Sequence, residues 1–350
     1  MSRYILERLE KFEPYTVGEQ PKDNGYIKLN TNESPYFPSE YAVGAINETL
    51  LKNLRLYSDP ESSELVKAIA DYYEIKTQNV MTANGSDEIL AFAFAGLCGE
   101  GAVFPDVTYG FYKVFAGLFG VAFDEIPLKE DFTVNTDDYL NVGKTVVLAN
   151  PNAQTGIYLP LTEIEKIVKS NPSSPVVIDE AYVDFGGESA VSLIGKYGNL
   201  AVVRTFSKSR SLAGARVGFV MADERLIDDF KRVKYSFNPY NVNGVSALLA
   251  ANAIKDEQYF KSCTDKIIST RGRLISELEL LGFKTLPSLA NFVLAEHSET
   301  DGKTLYEKLK ERGILVRRFG GGRINNFVRI TVGSEEQIDA LLKAVKEIIK

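Results

Sequence analysis

The chain has 350 residues, of which 45% are hydrophobic and 25% are charged, and its formal net charge is −7. These values are ordinary for a folded globular protein, and the length suits two domains or one large domain with a smaller partner. The acidic balance and the lack of any Lys/Arg-rich run in the sequence argue against a nucleic-acid-binding protein.

The cysteine and histidine content excludes several kinds of site. Cys98 and Cys263 lie far apart in the sequence, so we expect two buried thiols and neither a disulfide framework nor a metal site. The only histidine, His297, lies in the polar stretch 296–299, which predicts a surface loop. A single histidine excludes a His-rich zinc site and leaves any Ser-His-Asp or Cys-His mechanism dependent on that one residue.

The sequence carries no sign of membrane insertion. Its N-terminal residues lack the long apolar segment of a secretory signal. The most apolar stretch, residues 89–98, is shorter than the roughly 20 residues that span a bilayer. We therefore expect a cytoplasmic protein without membrane contact.

Residues 1–30 predict an N-terminal arm. It begins with a short amphipathic piece and continues as a Pro/Gly/Asn-rich loop. The apolar residues of the amphipathic piece are Tyr4, Ile5, Leu6, Leu9 and Phe12.

Residues 31–235 predict a large α/β domain with a mostly parallel sheet. The spacing of apolar residues indicates helices over residues 61–73 and 86–98. Thr162 and Glu165 are spaced as a capping box at the start of a crossover helix. Short apolar runs typical of strands buried on both faces of a sheet occur at 80–83, 102–104, 145–149, 176–178, 201–203 and 217–221.

Residues 236–350 predict a smaller α+β domain. Helical patterns cover residues 243–254, 265–281 and 303–312, and strand patterns cover 291–294, 314–318 and 327–332. The last helix opens with a capping box formed by Ser334 and Gln337.

Polar residues follow several of the predicted strands, at the sheet edge where open parallel sheets bind ligands. Asp179 follows the run 176–178, and Lys208 lies five residues past the run 201–203. A buried carboxylate needs a partner, which would be a protonated ring nitrogen or an Arg or Lys side chain. A lysine in such a pocket can form a Schiff base, whereas a lone lysine past a strand end would be an ordinary surface residue.

A second group of residues indicates an anion-binding site. Residues 85–87 open the helix 86–98, and the free N–H groups of its first turn could hold a phosphate. The alternative is plain capping of this helix by Ser86 or Asn84. Ser207, Lys208 and Arg216 could form a cradle for the same anion.

Together these residues resemble the fold-type-I pyridoxal-phosphate enzymes, and within them the histidinol-phosphate aminotransferase family. The resemblance runs from about residue 14 to the C-terminus. The stretches that carry it are 28–35 (Lys-Leu-Asn-Thr-Asn-Glu-Ser-Pro), 56–60 (Leu-Tyr-Ser-Asp-Pro), 85–88 (Gly-Ser-Asp-Glu), 108–110 (Thr-Tyr-Gly), 150–152 (Asn-Pro-Asn), 179–182 (Asp-Glu-Ala-Tyr), 205–208 (Thr-Phe-Ser-Lys) and 327–333 (Phe-Val-Arg-Ile-Thr-Val-Gly).

The resemblance implies pyridoxal 5'-phosphate as the cofactor. Lys208 would hold it as a Schiff base and move a proton on the substrate, Asp179 would pair with the ring nitrogen, and Tyr182 would hydrogen-bond the ring oxygen. Tyr57 would reach the cofactor from the second subunit of a homodimer. The other residues implied to contact the cofactor are Gly85, Ser86, Asp87, Tyr109, Asn152, Thr205, Ser207 and Arg216.

The resemblance also implies a substrate site. Arg329 and Arg317 match substrate arginines, and Arg329 would bind the phosphate of histidinol phosphate or the carboxylate of glutamate. Tyr15 and Asn32 would lie in the arm that closes over the substrate.

One stretch departs from the family pattern. The family often has Asn-Pro-Thr-Gly where residues 153–156 read Ala-Gln-Thr-Gly, so Ala153 stands where an asparagine is expected at the ring oxygen. Either Asn152 takes that place or the ring oxygen depends on Tyr182 alone.

The implied reaction converts histidinol phosphate and 2-oxoglutarate to imidazole-acetol phosphate and glutamate, as in histidine biosynthesis. Three alternatives share the scaffold: a lyase resembling threonine-phosphate decarboxylase, an aromatic amino acid aminotransferase and a non-catalytic regulator. The retention of Lys208 and the lack of an appended DNA-binding segment argue against the regulator.

Overall fold

The computed structural model describes residues 4–10, 13–21 and 25–349, which form three β-sheets with helices packed against them. In the predicted arm, a short helix α1 (Glu7–Glu10) and a short strand β1 (Ile27–Lys28) are described, whereas Phe12 lies outside the described residues. None of the helices in the described ranges is both long enough and apolar enough to cross a membrane.

The largest sheet has seven strands in the order β2-β8-β7-β6-β5-β3-β4. Every neighbouring pair is parallel except the two pairs that β8 forms with β2 and β7, so the expected mostly parallel sheet is confirmed. The strands are β2 (Val80–Ala83), β3 (Ala102–Pro105), β4 (Phe123–Ile126), β5 (Thr145–Ala149), β6 (Val176–Asp179), β7 (Leu200–Thr205) and β8 (Gly218–Ala222).

The central strands of this sheet are buried on both faces. Val146 and Val176 belong to one apolar cluster, and the next residues along the same strands, Val147 and Val177, belong to another. Because successive side chains of a strand point to opposite faces, each face of the sheet has its own core. This explains why these strands read as unbroken apolar runs in the sequence.

A second sheet has four antiparallel strands in the order β12-β13-β10-β9. These strands are β9 (Phe283–Thr285), β10 (Phe292–His297), β12 (Arg317–Arg318) and β13 (Val328–Thr331). A separate strand, β11 (Ile314–Leu315), pairs in parallel with β1 and so ties the arm to the C-terminal part of the chain.

The remaining helices cover the sheets and connect their strands. They are α2 (Glu40–Gly44), α3 (Glu48–Lys52), α4 (Ser63–Tyr73), α5 (Ser86–Gly96), α6 (Phe111–Phe119), α7 (Leu161–Ser170), α8 (Glu224–Phe237), α9 (Gly244–Ala253), α10 (Glu257–Leu280), α11 (Gly302–Glu311) and α12 (Glu335–Ile348). The capping box predicted for the last helix is present at Ser334 and Gln337.

Two details of the predicted elements are wrong. The capping box at Thr162 does not form because the N-cap residue of α7 is Pro160, two residues earlier, and the Glu165 carboxylate binds Lys196 and Tyr197 instead. The predicted strand 314–318 is divided between β11 and β12, which belong to different sheets.

The prediction for His297 is also wrong. This residue ends β10 and is 7% exposed, with its Nε2 3.1 Å from the Leu281 carbonyl oxygen. Its Nδ1 accepts the backbone N–H groups of Glu299 and Thr300, so the Nε2 atom carries the proton and donates to Leu281. The ring therefore fastens the end of β10 to the end of α10.

Candidate active site

A cavity of about 600 Å³ opens at the carboxyl ends of β6 and β7. Its size suits a small organic ligand. It is lined by thirteen residues predicted from the sequence as site residues, namely Tyr15, Asn32, Ser86, Asp87, Tyr109, Asp179, Tyr182, Thr205, Ser207, Lys208, Arg216, Arg317 and Arg329. Residues separated by up to about 300 positions in the chain thus share one cavity.

Asp179 is the last residue of β6 and is 4% exposed. One carboxylate oxygen accepts the Tyr112 hydroxyl at 3.0 Å, and the other accepts the Ala181 N–H at 3.2 Å. Within the described ranges, no Lys or Arg forms an ion pair with Asp179. The alternative in which an Arg or Lys side chain is its partner is therefore not supported. Burial raises the pKa of this carboxyl to about 7, although the bonds from Tyr112 and Ala181 oppose the rise.

Lys208 lies in the loop after β7 and lines the same cavity as Asp179. Its Nζ donates to the Thr31 carbonyl oxygen at 3.2 Å and lies 5.7 Å from the centre of the Tyr182 ring. Lys208 is half-buried and forms no ion pair with the described acidic residues. A lysine held by a single neutral acceptor inside a cavity is placed to react with a carbonyl compound.

The expected anion cradle lies at the start of α5. Gly85 is the N-cap residue, with φ of 82°, and no side chain caps the helix, so capping by Ser86 or Asn84 is excluded. Arg216, in a left-handed conformation, approaches this turn and lies 3.4 Å from the Ser207 hydroxyl and 3.3 Å from the Asp87 carboxylate. An uncapped helix N-terminus beside an arginine and a serine is a ready site for a phosphate.

Two glycines allow the parts of this cradle to approach one another. A Cβ atom on Gly85 would lie 2.5 Å from an Arg216 nitrogen. A Cβ atom on Gly218, the first residue of β8, would lie 2.4 Å from the Ser86 backbone nitrogen. The backbone of β8 therefore touches the first turn of α5 at a distance that only glycine permits.

Three side chains form the aromatic and polar wall of the cavity. Tyr109 donates its hydroxyl to Asp87 at 2.7 Å, and burial raises its pKa well above the ordinary value. Tyr182 is 7% exposed, and its hydroxyl accepts the Asn32 side-chain N–H at 3.0 Å. Asn32 is in turn fixed by Thr331, whose hydroxyl accepts the Asn32 backbone N–H at 3.0 Å.

Asn152 does not line this cavity, which favours the alternative in which the ring oxygen depends on Tyr182. Its side-chain N–H donates to the Val107 carbonyl at 3.0 Å, and its oxygen accepts the backbone N–H groups of Gln154 and Thr155. These bonds hold the loop after β5. Ala153 lines the cavity in its place, as does Gln154.

Two arginines lie at the other end of the cavity. Arg329 on β13 donates to the Ala153 carbonyl and to the Gln154 side-chain oxygen, both at 3.1 Å, and burial lowers the pKa of its guanidinium. Arg317 on β12 pairs with Arg329 across the sheet and donates to the carbonyl oxygens of Thr16 and Val17. Neither arginine forms an ion pair with a described carboxylate, which leaves both charges available for an anion.

The arm and Tyr57 differ in their relation to the cavity. Tyr15 lines it and stacks on Phe111, with ring centroids 4.2 Å apart. Tyr57 does not line it; the side chain is 84% exposed and stacks on Tyr240.

A buried ion-pair network joins the loop that follows Asp179 to the loop that carries Lys208. Arg204 on β7 binds Glu180 at 3.2 Å and also binds Asp184. Asp184 accepts the Ser209 hydroxyl, next to Lys208. This network links the two loops through charge-assisted hydrogen bonds, which favour a fixed separation between them.

The sequence-based site prediction missed two residues with direct contacts. Tyr112 is the hydrogen-bond partner of Asp179. The only feature of the sequence that could have indicated it is its position as the second aromatic residue after Thr108-Tyr109-Gly110. Gln154, the partner of Arg329, falls within the stretch that departs from the family pattern, and that departure was its only signal.

Residues 24–345 of the chain match the aminotransferase class I and II family. The chain is 48% identical over 353 residues to the histidinol-phosphate aminotransferase of Brachyspira hyodysenteriae, with 100% of both chains covered. It is 49% identical over 351 residues to that of Marinomonas sp., with 99% of each covered. A solved structure of histidinol-phosphate aminotransferase from Sinorhizobium meliloti in complex with pyridoxal-5'-phosphate has a TM-score of 0.89 at 24% identity, covering 100% of this chain and 98% of that chain.

The chain therefore belongs to the aminotransferase class I and II family, and its architecture is the fold-type-I architecture predicted from the sequence. It is an aminotransferase. The two relatives named above, which match it over their full length, are histidinol-phosphate aminotransferases.

Proposed function

We propose that the protein binds pyridoxal phosphate in the cavity between Lys208 and Asp179 and transfers an amino group from histidinol phosphate to 2-oxoglutarate. The observation that carries the cofactor proposal is the buried Asp179 carboxylate, which has two hydrogen-bond donors and no described cationic partner. A protonated pyridine nitrogen would supply the missing positive charge.

The residues around the cavity fit the other parts of this cofactor. The uncapped start of α5, with Ser86, Ser207 and Arg216, would bind the phosphate. Tyr109 would lie against the ring, and Tyr182, held by Asn32, would donate to the ring oxygen. Thr205 lines the same wall and accepts the Ser207 backbone N–H at 3.1 Å, which orients the phosphate-binding loop.

When bound, pyridoxal phosphate supplies an electron sink that stabilises negative charge on the substrate carbon. Lys208 would hold the cofactor and afterwards, as a free amine, carry the proton to and from that carbon. Asp179 would keep the ring nitrogen protonated, and Tyr112 would keep the Asp179 carboxylate in place. The arm residue Tyr15 would cover the cavity and limit the access of water.

Histidinol phosphate and glutamate both carry anionic groups, and Arg317 and Arg329 would bind them in turn. Support for this substrate pair comes from the names of relatives that match the whole chain at nearly half identity. A decarboxylase acting on threonine phosphate would need the same cofactor and an anion site, and an aromatic aminotransferase would need the same arginines. No observation in the cavity favours either of them over the relatives' activity.

The active form is proposed to be a homodimer. A set of large apolar side chains lies exposed on the segments 37–57 and 237–240, and exposed patches of this kind commonly mark protein interfaces. The most exposed members are Phe37, Tyr41, Leu54, Leu56, Tyr57 and Phe237. Tyr57 belongs to this set, so it is available to enter the partner's cavity rather than its own.

The test is a spectrum followed by an assay of both half-reactions. Purified protein with added pyridoxal phosphate should absorb visible light, histidinol phosphate should bleach that band, and 2-oxoglutarate should restore it. Lys208→Ala should lose the band and lower turnover by at least about a thousandfold. Lys67→Ala, which removes an exposed lysine of α4, should keep the absorption band and the wild-type turnover. Failure to bind the cofactor would contradict the whole proposal, and release of CO2 from threonine phosphate would favour the lyase.

A further inference from the structure

Gln154 is a buried amide in direct contact with the arginine proposed to bind the substrate. It is 7% exposed, it lines the cavity, and its side-chain oxygen lies 3.1 Å from Nη1 of Arg329. Because a guanidinium only donates hydrogen bonds, the amide oxygen must be the atom that faces it. The amide nitrogen of Gln154 has no hydrogen-bond partner within the described part of the chain.

Apart from Arg317, the cation that pairs with it across the sheet, the described groups around Arg329 are neutral. Its guanidinium lies 5.1 Å from the ring centres of both Phe292 and Phe319, and its Nη1 also donates to the Ala153 carbonyl. Its Nη2 reaches the Asn30 carbonyl only at 3.5 Å, and its Nε is buried with no hydrogen-bond partner among the described residues. A desolvated guanidinium with unfilled donors and no described carboxylate partner attracts an anionic ligand strongly.

We propose that Gln154 is a positioning residue that holds the Arg329 guanidinium for the anionic group of the substrate while leaving its positive charge unneutralised. A carboxylate at this position would orient Arg329 equally well, but it would form an ion pair and compete with the substrate anion. A neutral amide orients the Arg329 guanidinium without competing with the substrate anion for its charge. Its free N–H group is also placed to donate to the bound anion.

The backbone fixes Gln154 in this place. Its N–H donates to the Asn152 side-chain oxygen at 3.0 Å, and the Asn152 amide is anchored on Val107. The loop thus holds Gln154 and, through it, Arg329. At this position the family often has proline, which has neither an acceptor side chain nor an N–H, so the arrangement distinguishes this chain from that pattern.

The experiment measures anion binding to the cofactor-loaded enzyme, in which the phosphate-binding turn of α5 is already filled. Dissociation constants for inorganic phosphate and for the non-reacting dicarboxylate succinate are measured from the shift of the visible absorption band. Gln154→Met keeps the length of the side chain but removes the acceptor, and both constants should rise about 5- to 20-fold. Gln154→Glu keeps the acceptor but adds a charge, and both constants should rise at least about 50-fold.

Gln20→Glu is the matched control, since Gln20 lines the same cavity but is exposed. Its added charge is screened by solvent, so the loss of anion affinity should be several-fold smaller than for Gln154→Glu. In steady-state assays, the Gln154 variants should raise KM by a larger factor than they lower kcat. If Gln154 only stabilised the loop, its substitution would lower cofactor occupancy, and KM would not rise by a larger factor than kcat falls.

The inference stands only if both Gln154 variants weaken anion binding and Gln154→Glu weakens it more than Gln154→Met and more than Gln20→Glu. Any other order overturns it. If Gln154→Glu does not fold, Gln154→Met and Gln154→Ala decide together, because both must weaken the binding of the two anions. The inference rests on the proposed function for the bound cofactor and for the identity of the substrate: a wild-type enzyme that binds the cofactor but is inactive on histidinol phosphate would refute that substrate and leave these binding results valid.

Discussion

At the scale of single residues, Asp179 is a buried carboxylate of the cavity without a described cationic partner. Its carboxylate is buried at the end of β6 and receives two neutral hydrogen bonds from the described residues. Burial raises its pKa from 3.8 to about 7. Because the unfolded chain releases this proton near 3.8 and the folded protein only near 7, the folded protein holds more protons in that window, and its stability falls as the pH rises through it.

Replacing Asp179 should therefore stabilise the cofactor-free protein at high pH. We expect Asp179→Asn to raise the free energy of unfolding at pH 8 by about 2 to 4 kcal/mol, because no charge has to be buried. The gain should shrink as the pH is lowered from 7 towards 4. Thermal melts of both proteins across this range measure the difference.

The exposed residue Asp228 provides the control for this experiment. Asp228→Asn should show no such pH-dependent gain. If the melting temperature of Asp179→Asn stayed below the wild-type value at pH 8, burial of the charged carboxylate would not be destabilising the wild-type protein. In that case the Tyr112 and Ala181 bonds would outweigh the burial.

At the scale of secondary structure elements, the contact between β8 and α5 controls the phosphate-binding turn. Gly218 pairs with Ala83 on β2 and with Thr205 on β7, so its backbone cannot move away from the sheet. A methyl group at this position would lie 2.4 Å from the Ser86 nitrogen and would displace the first turn of α5.

Gly218→Ala should consequently weaken pyridoxal phosphate binding by at least about tenfold and destabilise the fold by about 1 to 3 kcal/mol. The dissociation constant can be measured by titrating the cofactor-free protein, and the stability by denaturant unfolding. Gly272→Ala in α10 is the matched control, because a Cβ there meets nothing within 4 Å. Equal cofactor affinity in the two variants would contradict the role of this contact.

The elements also explain which features the sequence could predict. The strands β5, β6 and β7 are buried on both faces and read as apolar runs, and Asp179 and Lys208 follow from the rule that ligands bind at carboxyl strand ends. The edge strand β4, with the exposed sequence Phe-Asp-Glu-Ile, has no such run and was not predicted. The contact of Tyr112 with Asp179 spans 67 positions and depends on how α6 packs, which no local pattern encodes.

One wrong prediction and one choice that the sequence left open have equally physical causes. His297 was assigned to the surface because its neighbours are polar, but successive strand residues face opposite sides, so Glu296 is partly exposed while His297 is buried. The choice between Asn152 and Ala153 as the residue facing the cavity depends on the path of one loop. That path depends on two hydrogen bonds of the Asn152 side chain. One goes to the carbonyl oxygen of Val107, which is remote in the sequence, and the other comes from the backbone N–H of Thr155.

At the scale of the whole molecule, the division into an arm, a large domain and a small domain remains a proposal. The helix α9 packs its alanines into the same apolar cluster as Leu65 of α4 and Val146 of β5. This packing favours a boundary after residue 254 instead of the predicted boundary at 235. The C-terminal sheet has its own cluster, formed with α10, α11 and α12.

The proposed homodimer makes a prediction about mixed dimers. If Tyr57 acts in the partner's cavity, a dimer of one Lys208→Ala subunit and one Tyr57→Ala subunit has one cavity with both changes and one with neither. Mixing the two inactive or weakened proteins in equal amounts and allowing exchange should restore about a quarter of the wild-type activity. If Tyr57 acted in its own subunit, no mixed dimer would contain an intact cavity and the mixture would gain nothing.

The buried position of His297 has a practical consequence for the study of the intact enzyme. It is the only imidazole in the chain, so any imidazole NMR signals of the protein come from this residue and need no assignment by mutagenesis. Those signals originate at the junction of α10 and β10, away from the cavity lining. Their chemical shifts would therefore tell directly whether ligands transmit strain into the C-terminal sheet.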